Sequence, residues 1–161
     1  MTTMENNIII KRNELRQQIN LRNFYMGESA KRKDIDADTI QSCKEDDELL
    51  LMFTHTACNG LVTAVALRFP SISYKISDKE ITFSFETVDE SRSHLLPMLK
   101  QAILDYITND VIMQWLLLRQ PNMAQPSISL RNSLYSNVQF QFAKQYNTRR
   151  TRRRATDLAG I

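Results

Sequence analysis

The chain has 161 residues, 42% of them hydrophobic, and a net charge of +3, which suits one domain with one core and argues against wholesale disorder. Its three glycines lie too far apart for a GxGxxG loop or a P-loop, which excludes the nucleotide-binding enzymes that depend on them. Two cysteines without CxxC spacing, and the lack of a bilayer-length apolar run or a signal-peptide pattern, predict cytoplasmic synthesis and no membrane contact.

The N-terminal part has the pattern of a polar helix over residues 8–33, with a thin apolar stripe that begins with Leu15 and Ile19 and can extend to Tyr25 and Met26. Such a helix buries little by itself, so we expect it to pack against a neighbour in this chain or in another. Three aspartates then interrupt the pattern. We therefore predict that residues 1–43 form a polar helix and an acidic loop, which precede a core domain over residues 44–143.

A second helix is predicted to begin between Lys44 and Glu48, where acidic residues suit the positive end of the helix dipole. It runs through regularly spaced apolar residues and ends before Pro70. Gly60 lies inside this helix and costs about 1 kcal/mol relative to alanine. We therefore expect another helix to pack closely against Gly60.

The hydrophobic period changes to two between Ser71 and Thr87, which predicts a β-hairpin over about residues 72–85. The turn between its strands is predicted at Ser77 to Glu80. Because an isolated two-stranded hairpin is marginal in water, it must lie on the helices or join a neighbour's sheet.

The third helix is predicted to begin after a cap at Asp89 or Ser91, with Pro97 within or just after its first turn, and to end at Gln120–Pro121. A fourth helix follows Pro126, with Phe142 among its apolar positions. The predicted fold class is therefore predominantly helical α+β. It is a bundle of about four helices with one small hairpin and an extended basic C-terminal arm.

The end of the third helix is apolar nearly all round, so it must be covered on most sides. That cover comes either from the core of the monomer, which we favour for Trp115, or from another subunit. The candidate residues for packing between subunits are Trp115, Leu116 and Tyr106.

Two pairs of residues resemble catalytic or metal-binding sites. His55 and Cys58 share a helix face by their spacing, but no second Cys or His pair completes a zinc site, and no third group completes a nucleophile–base arrangement. Asp105 and Asp110 are five apart and lack an accompanying histidine, so we expect a polar contact between helices or subunits.

Asp34, Asp36 and Asp38 have the spacing of an EF-hand loop, but Thr39 stands at the sixth position, where the sharp turn requires glycine. An acidic loop between helices is the favoured interpretation. Taken together, these patterns predict no catalytic residue, no metal and no cofactor, and hence a protein that is not an enzyme.

The C-terminal arm, residues 144–161, carries a net charge of +5, which leaves −2 for residues 1–143. The candidate partner-binding residues are six basic side chains and two apolar anchors: Lys144, Arg149, Arg150, Arg152, Arg153, Arg154, Leu158 and Ile161. Guanidinium groups bind carboxylates or phosphates bidentately, so the partner is an acidic protein surface or nucleic acid, unless the run is simply solvated. Only Tyr146 supplies a nearby aromatic ring, and the apolar anchors favour a protein groove.

The order of elements over about residues 44–161 resembles that of head–tail connector (adaptor, head-completion) proteins of tailed phages and prophages. The likeness lies in the helix that ends in Val65–Pro70, the hairpin at 72–85, the long helix from Ile103 through Leu116, and the basic tail. It implies a structural protein of the virion neck that forms a homo-oligomeric ring beneath the portal and contacts other neck and tail proteins. The arm would dock on the portal, and channel DNA would pass through the ring. The alternative is a nucleic-acid-binding accessory protein that uses the arginine-rich tail.

Overall fold

The computed structural model describes residues 4–33, 40–87 and 90–146. This part of the chain contains four α-helices and one three-stranded antiparallel sheet, so the predicted helix-rich α+β class is confirmed. The elements are β1 (Met4–Lys11), α1 (Arg12–Lys31), α2 (Asp47–Ala66), β2 (Ser73–Ile76), β3 (Glu80–Thr87), α3 (Leu96–Arg119) and α4 (Gln125–Tyr146). Short 3-10 turns, Lys44–Asp46, Glu90–Leu95 and Pro121–Met123, precede α2, α3 and α4.

The first strand departs from the sequence prediction, which assigned residues 8–33 to one helix. β1 pairs antiparallel with β3, with Ile8 opposite Phe83, and the strand order of the sheet is β1-β3-β2. Ile8 and Ile10 are buried and Ile9 is exposed, as the alternation of a strand requires. The predicted hairpin is confirmed, and the third strand that stabilises it comes from the same chain.

The N-terminal elements share one core with the elements that follow them. Leu15, Ile19 and Ala30 of α1 are buried in the same hydrophobic cluster as Leu99 of α3, and α1 packs on α3. The neighbour that a polar α1 requires is therefore α3. The described residues of the predicted segment 1–43 complete the core domain, and do not stand apart from it.

α3 lies at the centre of the molecule and contacts β1 and each of the other helices. Trp115 and Leu116 are fully buried, and Tyr106 is nearly so. Trp115 Nε1 donates a hydrogen bond of 2.6 Å to the carbonyl oxygen of Ile40. The prediction that these three side chains pack between subunits is therefore corrected. The chain covers them itself, because α3 is enclosed by the other elements.

The segment Lys44–Ala66 is, by length and composition only, apolar enough to cross a membrane. The sequence prediction considered only uninterrupted runs such as Leu49–Phe53, whereas α2 interleaves apolar residues with uncharged polar ones. Core helices of soluble proteins satisfy the same criterion. α2 packs on α3 and β2.

Gly60 does not meet the expectation that another helix packs closely against it. It is exposed, and a Cβ atom built on its backbone has no heavy atom within 4 Å. In the described part of the chain, the outer side of α2 at Gly60 is open.

We expect Gly60→Ala to raise the free energy of unfolding by about 0.5–1 kcal/mol, because alanine loses less backbone entropy in a helix and meets no obstacle here. Ala64→Gly, one turn further along α2, is the matched control and should lower it by a similar amount. Urea unfolding measures both changes through the transition midpoint at unchanged slope. A lower midpoint for Gly60→Ala would contradict the open environment of Gly60.

Candidate functional site

The C-terminal end of α4 is fixed to the core by stacked aromatic rings. The ring centroid of Phe69 lies 4.5 Å from that of Tyr146 and 5.8 Å from that of Phe142. Burial raises the pKa of the Tyr146 hydroxyl, which lies 3.5 Å from Ser71 Oγ. Gln145 beside it is buried as well. The basic arm therefore leaves the fold from an anchored turn.

Among the predicted partner-binding residues, only Lys144 lies within the described part of the chain. Its Nζ is 4.4 Å from the ring centroid of Phe140, a cation–π contact along α4. The residues outside the described part are Arg149, Arg150, Arg152, Arg153, Arg154, Leu158 and Ile161. Their roles stay predictions.

His55 and Cys58 do not form a joint site. Cys58 is buried, and burial raises the pKa of its thiol to about 12, so the thiol stays protonated and unreactive. His55 is exposed, with its ring centroid 6.5 Å from that of Tyr74. The described residues contain no group of three or more His, Cys, Asp or Glu side chains that could hold a metal ion. The EF-hand-like run Asp34–Asp38 lies outside them.

Because Cys58 is buried and Cys43 is exposed, we expect a thiol reagent to modify only Cys43 in the folded protein. The reaction should be slower than that of a free thiol, because the hydrogen bond to Asp46 raises the pKa of Cys43. Mass spectrometry of the labelled peptides, before and after unfolding in urea, measures this. Prompt labelling of Cys58 in the folded state would contradict the described packing.

Asp105 and Asp110 both make the polar contacts between helices that their spacing suggested. Asp110 is almost fully buried; its Oδ1 lies 2.9 Å from Arg131 Nε of α4, and its Oδ2 accepts a 2.9 Å hydrogen bond from Gln114. Asp105 Oδ1 lies 3.8 Å from an Arg22 nitrogen of α1, in a more exposed position. Burial, together with the charge of Asp110, raises the pKa of the Tyr106 hydroxyl. The Asp110 cluster therefore joins α3 to α4.

Arg131→Gln should lower the free energy of unfolding by about 1–3 kcal/mol, because it leaves the buried carboxylate of Asp110 without its cation. This loss of stability is smaller than expected for a fully buried ion pair, because the Arg131 side chain is 46% exposed. The matched control is Arg22→Gln, which removes a more exposed pair and should change stability by less than about 0.5 kcal/mol. Urea unfolding of both variants makes the comparison, and equal losses would contradict it.

A cleft of about 400 Å³ lies between α1, α3 and the beginning of α4. Met26, Ile112 and Leu130 supply apolar lining, and Arg22 and Lys33 contribute positive charge. The volume is that of a small-molecule site. Among the residues that the structure describes, the lining of the cleft contains no acid, histidine or cysteine.

The outer side of α1 carries three large exposed side chains at helical spacing. Leu21, Phe24 and Tyr25 are 51%, 50% and 64% exposed, and the rings of Phe24 and Tyr25 contact each other edge to face. We call them the α1 outer face. The sequence prediction placed Tyr25 in the apolar stripe of this helix and did not select Leu21 or Phe24, although the i, i+3, i+4 spacing of the three is visible in the sequence.

The outer side of α2 is exposed but carries no charge. From Leu49 to Leu67 the chain has no acidic residue, lysine or arginine. The exposed residues along this stretch include Met52, Thr56, Asn59, Gly60 and Thr63, which we call the α2 outer face. Depletion of charge on an exposed surface is typical of the core of a protein interface.

No family model matches the sequence, and neither the curated proteins nor the solved structures contain a significant match.

Proposed function

We propose that this chain is a structural ring subunit of a tailed-phage neck, which joins the portal to the tail and docks on the portal through its C-terminal arm. The observation that carries the proposal is the distribution of charge. Residues 144–161 sum to +5 and the rest of the chain to −2. Residues 147–161, which follow the anchored end of α4, have too few apolar residues to add to a hydrophobic core, so we assign them to contact with another molecule.

The anchored end of α4 supports this role. The stacked rings of Phe69, Phe142 and Tyr146 hold the start of the arm on the body, so a force on the arm is transmitted to the core. A helical body with a basic arm is also the arrangement that the resemblance to head–tail connectors implies.

Carboxylates are the favoured targets of the arginines. Single-strand binders stack bases on exposed aromatic rings. Tyr146, the aromatic residue nearest to the arginine run, is instead stacked on Phe69 and partly buried. The guanidinium groups of arginine bind carboxylates on a protein as well as they bind phosphates. The apolar residues Leu158 and Ile161 suit a groove on a protein surface, which favours carboxylates as the targets.

Deletion of residues 147–161 in the phage or prophage that encodes the chain should leave a folded body and produce heads without attached tails. The body should keep its thermal unfolding midpoint, because α4 and its aromatic anchor end at Tyr146. The measurement is electron microscopy of the particles, with the melting curve as the control for folding. Normal tail attachment would contradict the proposal.

A second variant separates the effect of the arm's positive charge from that of its bidentate hydrogen bonds. Arg→Lys replacement at the five positions Arg149, Arg150, Arg152, Arg153 and Arg154 retains the charge and removes the guanidinium forks. We expect attachment to fall with this variant. Salt-sensitive binding of duplex DNA by the full chain, unchanged by the replacement, would favour the nucleic-acid alternative.

A further inference from the structure

We infer that the α1 outer face of one copy packs against the α2 outer face of a second copy of this chain, as the contact between subunits of the proposed assembly. The inference rests on that assembly role and names the surfaces that build it. It replaces the three buried residues of α3 that the sequence had suggested for this contact.

The two faces are complementary in size. Leu21, Phe24 and Tyr25 project large apolar side chains that the chain itself leaves at least half exposed. The α2 outer face has small side chains at its middle, Thr56 and Gly60, and the space beyond Gly60 is open. Helices pack by placing the ridges of one into the grooves of the other, and small residues deepen such a groove.

The two faces are also complementary in charge. α1 ends in Lys31, and Arg32 and Lys33 follow it, both exposed. The acidic run Glu45–Glu48 spans the 3-10 turn and the start of α2, and Glu48 is exposed on the same side of α2 as Met52 and Thr56. An antiparallel pair of these helices therefore places a basic end against an acidic end.

Size and charge select the same alignment. Phe24 lies eight residues before Arg32, the helical-backbone residue that follows α1, and Thr56 lies eight residues after Glu48 on α2. Both segments span about 12 Å, because an α-helix rises 1.5 Å per residue. Setting Arg32 opposite Glu48 thus sets Phe24 opposite Thr56. Charge pairing at one end and the filling of the groove occur together.

A second copy fits the α2 outer face better than a lipid bilayer does. His55, Asn59 and Thr63 are exposed along the middle of α2, where a membrane-buried surface would have to be apolar. An uncharged polar surface with small residues is suited to another protein. The chain itself supplies the matching large apolar residues on α1.

The test uses two single substitutions in the full chain, Phe24→Arg on the α1 outer face and Thr56→Arg on the α2 outer face. Both positions are exposed, and arginine is a good helix former, so both variants should fold. The matched controls are Phe140→Arg, at a phenylalanine that is 59% exposed on α4, and Ser133→Arg, at an exposed polar position of the same helix.

We expect the unaltered chain to form an oligomer at micromolar concentration. Its native mass, measured by analytical ultracentrifugation, should be at least twice the 18.8 kDa of one chain. Each variant should raise the dissociation constant by about 30-fold or more and sediment as a monomer, because a buried arginine lacks a partner there. The two controls should keep the mass of the unaltered chain.

Mixing the two variants gives the decisive result. The intact α1 face of Thr56→Arg can still bind the intact α2 face of Phe24→Arg, so two monomeric variants should combine into a complex of two chains. A contact of α2 with α2, or of α1 with α1, would leave one variant assembled by itself and overturn the inference. A monomeric unaltered chain, or co-sedimentation of the unaltered chain with phosphatidylcholine vesicles that Thr56→Arg abolishes, would overturn it as well. In these cases the arm-dependent attachment to the portal is tested separately by the deletion of residues 147–161.

Discussion

The constraint on which the rest of this structure depends is the nearly all-round burial of α3 between Ala102 and Leu116. A helix whose apolar residues face every direction is stable in water only when other elements enclose it. The elements that contact α3 are β1, α1, α2 and α4. Each of the other helices therefore has one side that packs against α3. The one charge that α3 carries into the interior, Asp110, is matched by Arg131 of α4 and by Gln114 one turn along α3. Burial of that carboxylate therefore also sets the position of α4.

The sheet closes the part of the core that the helices leave open. β3 is its central strand, and its buried residues Ile81, Phe83 and Phe85 face the same interior as Ile8 and Ile10 of β1. Phe85 contacts Phe142 edge to face, which links the sheet to the aromatic anchor at the end of α4. The point from which the basic arm departs is thus tied to the sheet as well as to Phe69, in the connection between α2 and β2.

Enclosing α3 leaves each outer helix with one side free. On α1 that side carries large apolar residues beside positive charge, and on α2 it carries small uncharged residues after negative charge. A subunit of an assembly needs surfaces that match another copy, and an arm that reaches a different partner. Under the proposed function, the outer helices would serve contacts between copies, and the arm beyond Tyr146 would serve contact with a different partner.

The sequence by itself determined α2, the hairpin, α3 and α4, because their apolar periods extend over many residues and are read locally. It also determined the separation of charge between body and arm. Only the tertiary structure decided β1, since Ile8, Ile9 and Ile10 suit a helix or a strand alike until Phe83, 75 residues away, pairs with Ile8. It likewise decided that Trp115 is covered by its own chain while Phe24 is left exposed. Periodicity shows which apolar residues share one face of a helix or strand. The residues that cover this face come from distant parts of the chain, so the local pattern does not identify them.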